Sequence, residues 1–439
     1  MKKTVIALFA LAFSAGSFAQ GDARMRKIDS LMNYLTENNK FMGSVILREN
    51  NKTVFQKAYG YADADNKIKA DINTKYKIGS ITKMFTSAII FQLIEEKKLT
   101  LDTKLSKYYP QIKNADKITI AQLLQHKSGI FNYTNDASFR DVLTTAHGKN
   151  GMLARLAGFE PYFEPGTRAE YSNSNYLLLG YIIEDVTKKT YKDNVAERIA
   201  KKAGLKDTYY YTKIDPKRNE AISYKYDGTK WVKEEEWDES VAAAAGALQS
   251  TPADLAKFIE ALYDGKIISK KSLEEMMTFD AGYGKGILQF PFGERKFIGH
   301  NGSIEGFSST LGYYPKEDVT FSLIQNGDNY DTNDIVLGLL SIYYKMPYQF
   351  PNVKTVDVDP AILRTYTGTY SSAAIPLKVM LKEENGKLIA QASGQSPFAM
   401  NAVSNTEFSF DPAGIVLLMK KDGFTLKQGG MVMEFTREK

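Results

Sequence analysis

Residues 79–97 read GSITKMFTSAIIFQLIEEK. From Ser80 to Lys97 the pattern predicts a helix whose apolar residues (Ile81, Met84, Phe85, Ala88, Ile89, Ile90, Leu93, Ile94) fall on every side. A helix apolar all round is buried in a core. Ser80 and Lys83 stand three apart, so a hydroxyl and an ammonium share one face of that helix. Gly79 allows a tight entry, and a helix N-terminus offers backbone N–H groups and a positive dipole end beside the serine. A hydroxyl is a poor nucleophile until a base takes its proton. A lysine stripped of water can be that base, because desolvation lowers its pKa. The spacing alone equally suits an N-capping serine and a surface lysine. A charge inside an apolar helix, however, needs a reason.

Working outward, residues 25–38 predict a helix with Ile28, Leu31, Met32 and Leu35 on one face. Two strand-like runs follow, Gly43–Leu47 and Thr53–Ala58, separated by the turn-rich Glu49-Asn50-Asn51-Lys52. From about residue 100 to 260 the pattern is mostly helical. Phe297–His300, Ser309–Tyr314 and Val319–Gln325 predict three more strands, with a helix at about 333–345. Strands at both ends around a helical middle predict an α+β fold: an antiparallel sheet flanked by helices, with an inserted all-helical lobe. Residues 347–360 contain three prolines and read as a linker. Residues 361–439 show short alternating runs split by turns such as Glu384-Asn385-Gly386 and Lys421-Asp422-Gly423. That texture predicts a small C-terminal antiparallel β-barrel or sandwich.

The 439 residues are 43% apolar and 25% charged, ordinary values for a globular chain. The net charge of +6 is spread without a dense Lys/Arg block, which argues against a nucleic-acid partner. Residues 1–19 carry Lys2 and Lys3, an apolar run from Val5 to Phe13, and Ser17-Phe18-Ala19 before a cut at Gln20. This is the layout of a secretory signal peptide, so a periplasmic or secreted protein is expected, with no membrane span after cleavage. The hydrolase-like part is then 20–346. The chain has no cysteine, which excludes disulfides, a lipid-bearing cysteine and cysteine-held metal. Three scattered histidines give no zinc site, and no metal or other cofactor is expected.

Two further stretches carry chemistry. In Tyr171-Ser172-Asn173, a phenol near cations can have its pKa lowered and act as a general base. The asparagine amide can hold both a lysine and a substrate carbonyl. In His300-Asn301-Gly302-Ser303, glycine lets a substrate backbone approach a strand. A strand N–H just beyond it can complete an oxyanion hole. Each stretch alone also fits a structural role: a loop tyrosine, a capping asparagine, a satisfied histidine.

Together and in this order, the three stretches resemble the serine β-lactamase, DD-peptidase and family VIII esterase group. Its motifs are Ser-x-x-Lys, Tyr-x-Asn and Lys- or His-x-Gly. The likeness spans roughly residues 25–345 and includes Leu123-Leu124-Gln125-His126-Lys127-Ser128-Gly129 and Tyr283-Gly284-Lys285-Gly286. The second and third motifs differ from the class A set and side with the class C branch. Residues 361–439, with Tyr366-Thr367-Gly368-Thr369-Tyr370, are similar to the lipocalin-like barrel often appended to such proteins.

The resemblance implies that Ser80 is acylated and that Lys83 and Tyr171 share the proton work, with Tyr171 the favoured base. It implies that Asn173 holds the substrate amide and that His300 lines the site, where it assists the tyrosine or binds a substrate carboxylate. Gly302 and Ser303 border the substrate, and the N–H groups of Ser80 and Ser303 form the oxyanion hole. His126 is expected to be a packing residue. Histidine is mostly neutral at pH 7, so the third motif points away from an efficient β-lactamase and towards a peptidase or esterase acting on a small-molecule or peptide substrate. A class C-like β-lactamase and a non-hydrolytic penicillin-binding receptor are the alternatives.

Overall fold

The computed structural model describes residues 22–438; the expected signal segment lies outside them. Helix α1 (Ala23–Glu37) opens the chain, N-capped by the Asp22 side chain, and buries Ile28, Leu31, Met32 and Leu35 as its periodicity requires. The hairpin β1 (Gly43–Glu49) and β2 (Lys52–Tyr59) follows. The chain then crosses to the helical lobe. Within it, α2 (Thr82–Glu95) runs through the interior, α3 (Asn173–Thr187) packs beside it, and α4 (Glu239–Gly246) and α5 (Pro252–Tyr263) close the lobe. Four strands return to the sheet: β3 (Leu288–Phe292), β4 (Arg295–Ile304), β5 (Phe307–Tyr314) and β6 (Val319–Gln325). Helix α6 (Thr332–Tyr343) ends this part.

The six strands stand in the order β3-β4-β5-β6-β1-β2, all neighbours antiparallel. Strand periodicity of two divides their side chains between two cores. Val45, Leu47, Phe297, Phe321 and Leu323 face α1 and α6. Ile298, Ile304, Leu311 and Ile324 join the helical lobe on the other face. The expected α+β sheet with an inserted lobe is the fold observed. The sequence reading passed over β3, because Pro291 interrupts its alternation. An edge strand tolerates proline, and β3 is the edge.

Beyond residue 360, nine strands form one antiparallel sheet around Leu363, Tyr370, Leu381, Phe408, Phe424 and Phe435. The first of them, Gly368–Ser371, pairs with the last, Met431–Arg437. The two sheet edges, Phe398–Ala399 and Asn401–Ala402, flank Met400, so the sheet curls into a nearly closed barrel. No helix among the described residues is long and apolar enough to cross a membrane.

Candidate active site

The segment entering α2 differs from a simple helix start. Gly79–Ile81 is a 3-10 turn, and the α-helix begins at Thr82. Gly79 has φ +50, in the region that favours glycine. Ser80 therefore stands on a tight turn at the mouth of a buried helix. Lys83, three residues on, is 0% exposed.

Lys83 Nζ has three oxygen partners. It lies 2.9 Å from Ser80 Oγ, 2.8 Å from Asn173 Oδ1 and 2.7 Å from the Ala245 carbonyl oxygen. Among the described residues no carboxylate pairs with it. Burial is thus uncompensated, and it holds the ammonium well below its ordinary value of 10.5. Helix α4 is broken at Ala243 (φ 38, ψ −134). Just past the break, the Ala244 and Ala245 carbonyls accept from Thr86 Oγ1 and Lys83 Nζ.

Tyr171 donates its phenol to Ser80 Oγ at 2.7 Å. Here the structure corrects the expected electrostatics. Burial raises the phenol above its ordinary value of 10, and the Ser80 bond only partly offsets this. Tyr171 is therefore a neutral donor at pH 7, and Lys83 is the group whose proton is loosened. Beneath Tyr171 lies His126, ring centroids 4.5 Å apart. His126 Nδ1 accepts from the Ser172 N–H at 3.1 Å, so the buried ring orients the segment carrying Tyr171 and Asn173. Burial, then the nearby Lys83, pushes it well below its ordinary value of 6.5.

Asn173 opens α3 and is fixed at three points. Its N–H donates to Asn132 Oδ1 at 3.0 Å, and its Nδ2 donates to Thr134 Oγ1 at 3.1 Å. Its Oδ1 accepts a hydrogen bond from Lys83 Nζ. Asn132 and Thr134 escaped the sequence reading, since polar loop residues with no periodicity look alike until a partner is known.

Strand β4 forms the opposite wall. A methyl group at Gly302 would fall 2.1 Å from the Ile78 carbonyl and 2.9 Å from Ser80 N. One at Gly79 would fall 2.8 Å from Ser303 N. Two glycines thus let strand and turn touch, which brings the backbone N–H groups of Ser80 and Ser303 side by side. The Ser309 hydroxyl ties the turn down by donating to the Ile78 carbonyl at 2.9 Å.

His300 lies on the same face of β4 as Gly302, two residues before it. It is 2% exposed. Its Nδ1–H donates to the Asn301 carbonyl at 2.5 Å. Burial and the nearby Lys83 push it down to about 3, so it offers no cation to a substrate carboxylate. Even-numbered β4 side chains face the helical lobe that carries Ser80 and Lys83, and packing there buries His300.

Ser80, Asn173 and Ser303 open onto a cavity of about 220 Å³, walled further by Tyr133, Trp237 and Ile304. Ser80, Lys83, Tyr171 and Asn173 thus form one hydrogen-bonded cluster, with Gly302 and Ser303 against it. His300 sits behind.

The family model described as Beta-lactamase matches residues 30–340. "Protein flp" of Staphylococcus aureus (strain MW2) is 29% identical over 321 residues, which are 69% of this chain and 63% of that protein. The matched part of this chain thus spans about 63% of the length of that curated relative. The D-amino acid amidase from Ochrobactrum anthropi SV3, solved with L-phenylalanine amide, superposes with a TM-score of 0.63 at 27% identity, over 73% of this chain and 99% of the amidase. The octameric penicillin-binding protein homologue from Pyrococcus abyssi shares the fold over 94% of this chain and 96% of its own, with a TM-score of 0.67 and 24% identity.

Proposed function

The chain belongs to the beta-lactamase family, and from that premise we propose that it is a serine hydrolase that cleaves an amide or ester without a free carboxylate through an acyl-Ser80 intermediate. The observation that carries the reading is the set of oxygens around Lys83. A neutral amine has two N–H bonds and one lone pair. Asn173 Oδ1 and the Ala245 carbonyl can only accept, so they take the two N–H bonds. The lone pair is left for the Ser80 hydroxyl. Lys83 then accepts the Ser80 proton as Oγ attacks the substrate carbonyl. The adjacent N–H groups of Ser80 and Ser303 receive the oxyanion. Tyr171, held neutral, gives its proton to the leaving group and is reprotonated from Lys83. Water, activated by the same lysine, releases the acyl group.

The substrate class rests on charge. With His300 neutral and buried, none of the residues lining the cavity is a cation that would recognise a free carboxylate. That supports amides and esters over β-lactams and peptides ending in a carboxylate. The neighbouring amidase fold supports a D-amino acid amide as the first amide to test. Export to the periplasm or medium is part of the proposal and rests on residues 1–19.

The test is turnover of a p-nitrophenyl ester, a D-amino acid amide and a chromogenic cephalosporin by wild type and Ser80→Ala. The ester and amide are expected to be cleaved, the cephalosporin poorly, and Ser80→Ala is expected to be inactive. Full activity of Ser80→Ala would overturn the assignment. A permanent adduct without turnover would favour a penicillin-binding receptor.

A further inference from the structure

Behind the cavity lies a charged pair that the proposed mechanism does not use. Lys77 stands three residues before Ser80, and Glu305 two residues after Ser303. Both side chains are 0% exposed, and Lys77 Nζ meets Glu305 Oε1 at 2.6 Å. Glu236 adds a second carboxylate at 3.3 Å, and the Tyr211 ring lies 4.0 Å from the ammonium. Glu305 Oε1 also accepts the Trp237 N–H at 2.8 Å, and Oε2 accepts from Ser223 Oγ at 3.3 Å.

The position of Glu305 is unusual. Strands β4 and β5 are joined by a two-residue turn, Glu305-Gly306, since Ile304 pairs with Phe307. Glu305 takes the first central position with φ +55, where glycine is the usual occupant. Strained backbone of this kind persists only where surrounding structure holds it. Here the carboxylate is what holds it. The pair links the strand entering the Ser80 turn, the tip of the strand bearing Ser303, and the backbone of Trp237. These three segments line one cavity.

Resting on the serine-hydrolase reading above, we propose that Lys77 and Glu305 are positioning residues. Their ion pair sets the separation of the nucleophile turn from the oxyanion strand and holds the Trp237 wall. Misplacement of reacting groups by about 1 Å can cost about 100-fold in rate. Removing the pair should therefore act on kcat more than on KM.

The test uses the full chain with a p-nitrophenyl ester, and intact-mass titration with a fluorophosphonate to count competent sites. Glu305→Gln keeps the shape but removes the charge. Its kcat per titrated site is expected to fall about 10- to 100-fold with KM within about twofold. Glu305→Asp, which tolerates positive φ and keeps the charge, should recover most of the loss. Glu305→Gly relieves the turn but removes the carboxylate, and should be as slow as Glu305→Gln. Wild-type kcat per titrated site in Glu305→Gln or Glu305→Gly would overturn the proposal, because a role in stability alone lowers only the number of competent sites. Should Glu305→Gln not fold, the Asp and Gly variants decide by the same measure. Ser80→Ala is run alongside. If it still hydrolyses the ester, the site assignment has failed, not the pair.

Discussion

Lys83 and Tyr171 both touch Ser80, yet burial moves them in opposite senses. It lowers the lysine, whose charged form is disfavoured, and raises the phenol, whose neutral form is kept. The two variants should therefore separate. Lys83→Met should lose about 10²- to 10⁴-fold on both a p-nitrophenyl ester and an amide, because the base serves both. Tyr171→Phe should lose far more on the amide, whose leaving nitrogen needs a proton, than on the nitrophenyl ester, whose leaving group does not. Equal losses in both variants would assign the base to Tyr171. The Ser80–Lys83 spacing was legible because it is local. The direction of the phenol shift was not, because it depends on the shell that surrounds it.

His300 carries a second prediction at this scale. Its folded value is about 3 against an ordinary 6.5, so between those limits the unfolded chain binds the extra proton. Stability then rises with pH, and acidification below about 6.5 costs about 1.4 kcal/mol per unit for this one histidine. His126 acts in the same direction. Melting temperature should be unaffected by these groups above pH 7 and fall steadily from about pH 6.5 to 4.5. His300→Gln should reduce that slope.

At the scale of elements, catalysis depends on how closely β4 approaches the turn before α2. Gly302→Ala would force a methyl against the Ile78 carbonyl at 2.1 Å, so strand and turn must separate. The Ser303 N–H moves with the strand. Loss of one oxyanion donor typically lowers kcat by about 10²- to 10³-fold. Gly302→Ala should show that loss with an unchanged far-ultraviolet circular dichroism spectrum. The helices and most strands could be read from periodicity, and Ile28, Leu31, Met32 and Leu35 of α1 are buried as expected. The 3-10 turn at Gly79–Ile81 and the edge strand β3 could not. A three-residue turn is too short to show a period, and Pro291 masks one.

At the scale of the molecule, the barrel meets the sheet domain through a buried pair, Lys40 Nζ with Asp411 Oδ2 at 2.6 Å. Their side chains are 5% and 11% exposed. Asp331 and Asp334, at the start of α6, lie against the same barrel turn at Gly414. Burial, then Asp331 and Asp411, push Asp334 up to about 6. Lys40→Met leaves the buried Asp411 carboxylate without its cation and should cost about 3–5 kcal/mol, the usual result of breaking a buried pair. Earlier proteolysis at residues 347–360 would report it. Asp334 has a raised folded value, so its contribution is present below 3.8 and lost as pH rises through about 6. Asp334→Asn should therefore stabilise the protein at pH 8 by about 1–2 kcal/mol, after allowing for its partial exposure, and raise the melting temperature accordingly. It should do little at pH 4.

The sequence by itself determined what is local. These features are the buried helix behind Ser80, the Ser80–Lys83 pair three residues apart, the α+β order of elements, and a strand-rich tail. Each follows from spacings of two to four residues, which backbone geometry converts directly into faces. Tertiary structure alone decided which groups share a hydrogen bond. Asn173 and the Ala245 carbonyl reach Lys83 from 90 and 162 residues away, and Glu305 reaches Lys77 across 228. It also decided electrostatics, since water removed by packing lowers both His300 and Lys83 from their ordinary values. Burial is a property of the whole folded chain, and no local spacing encodes it.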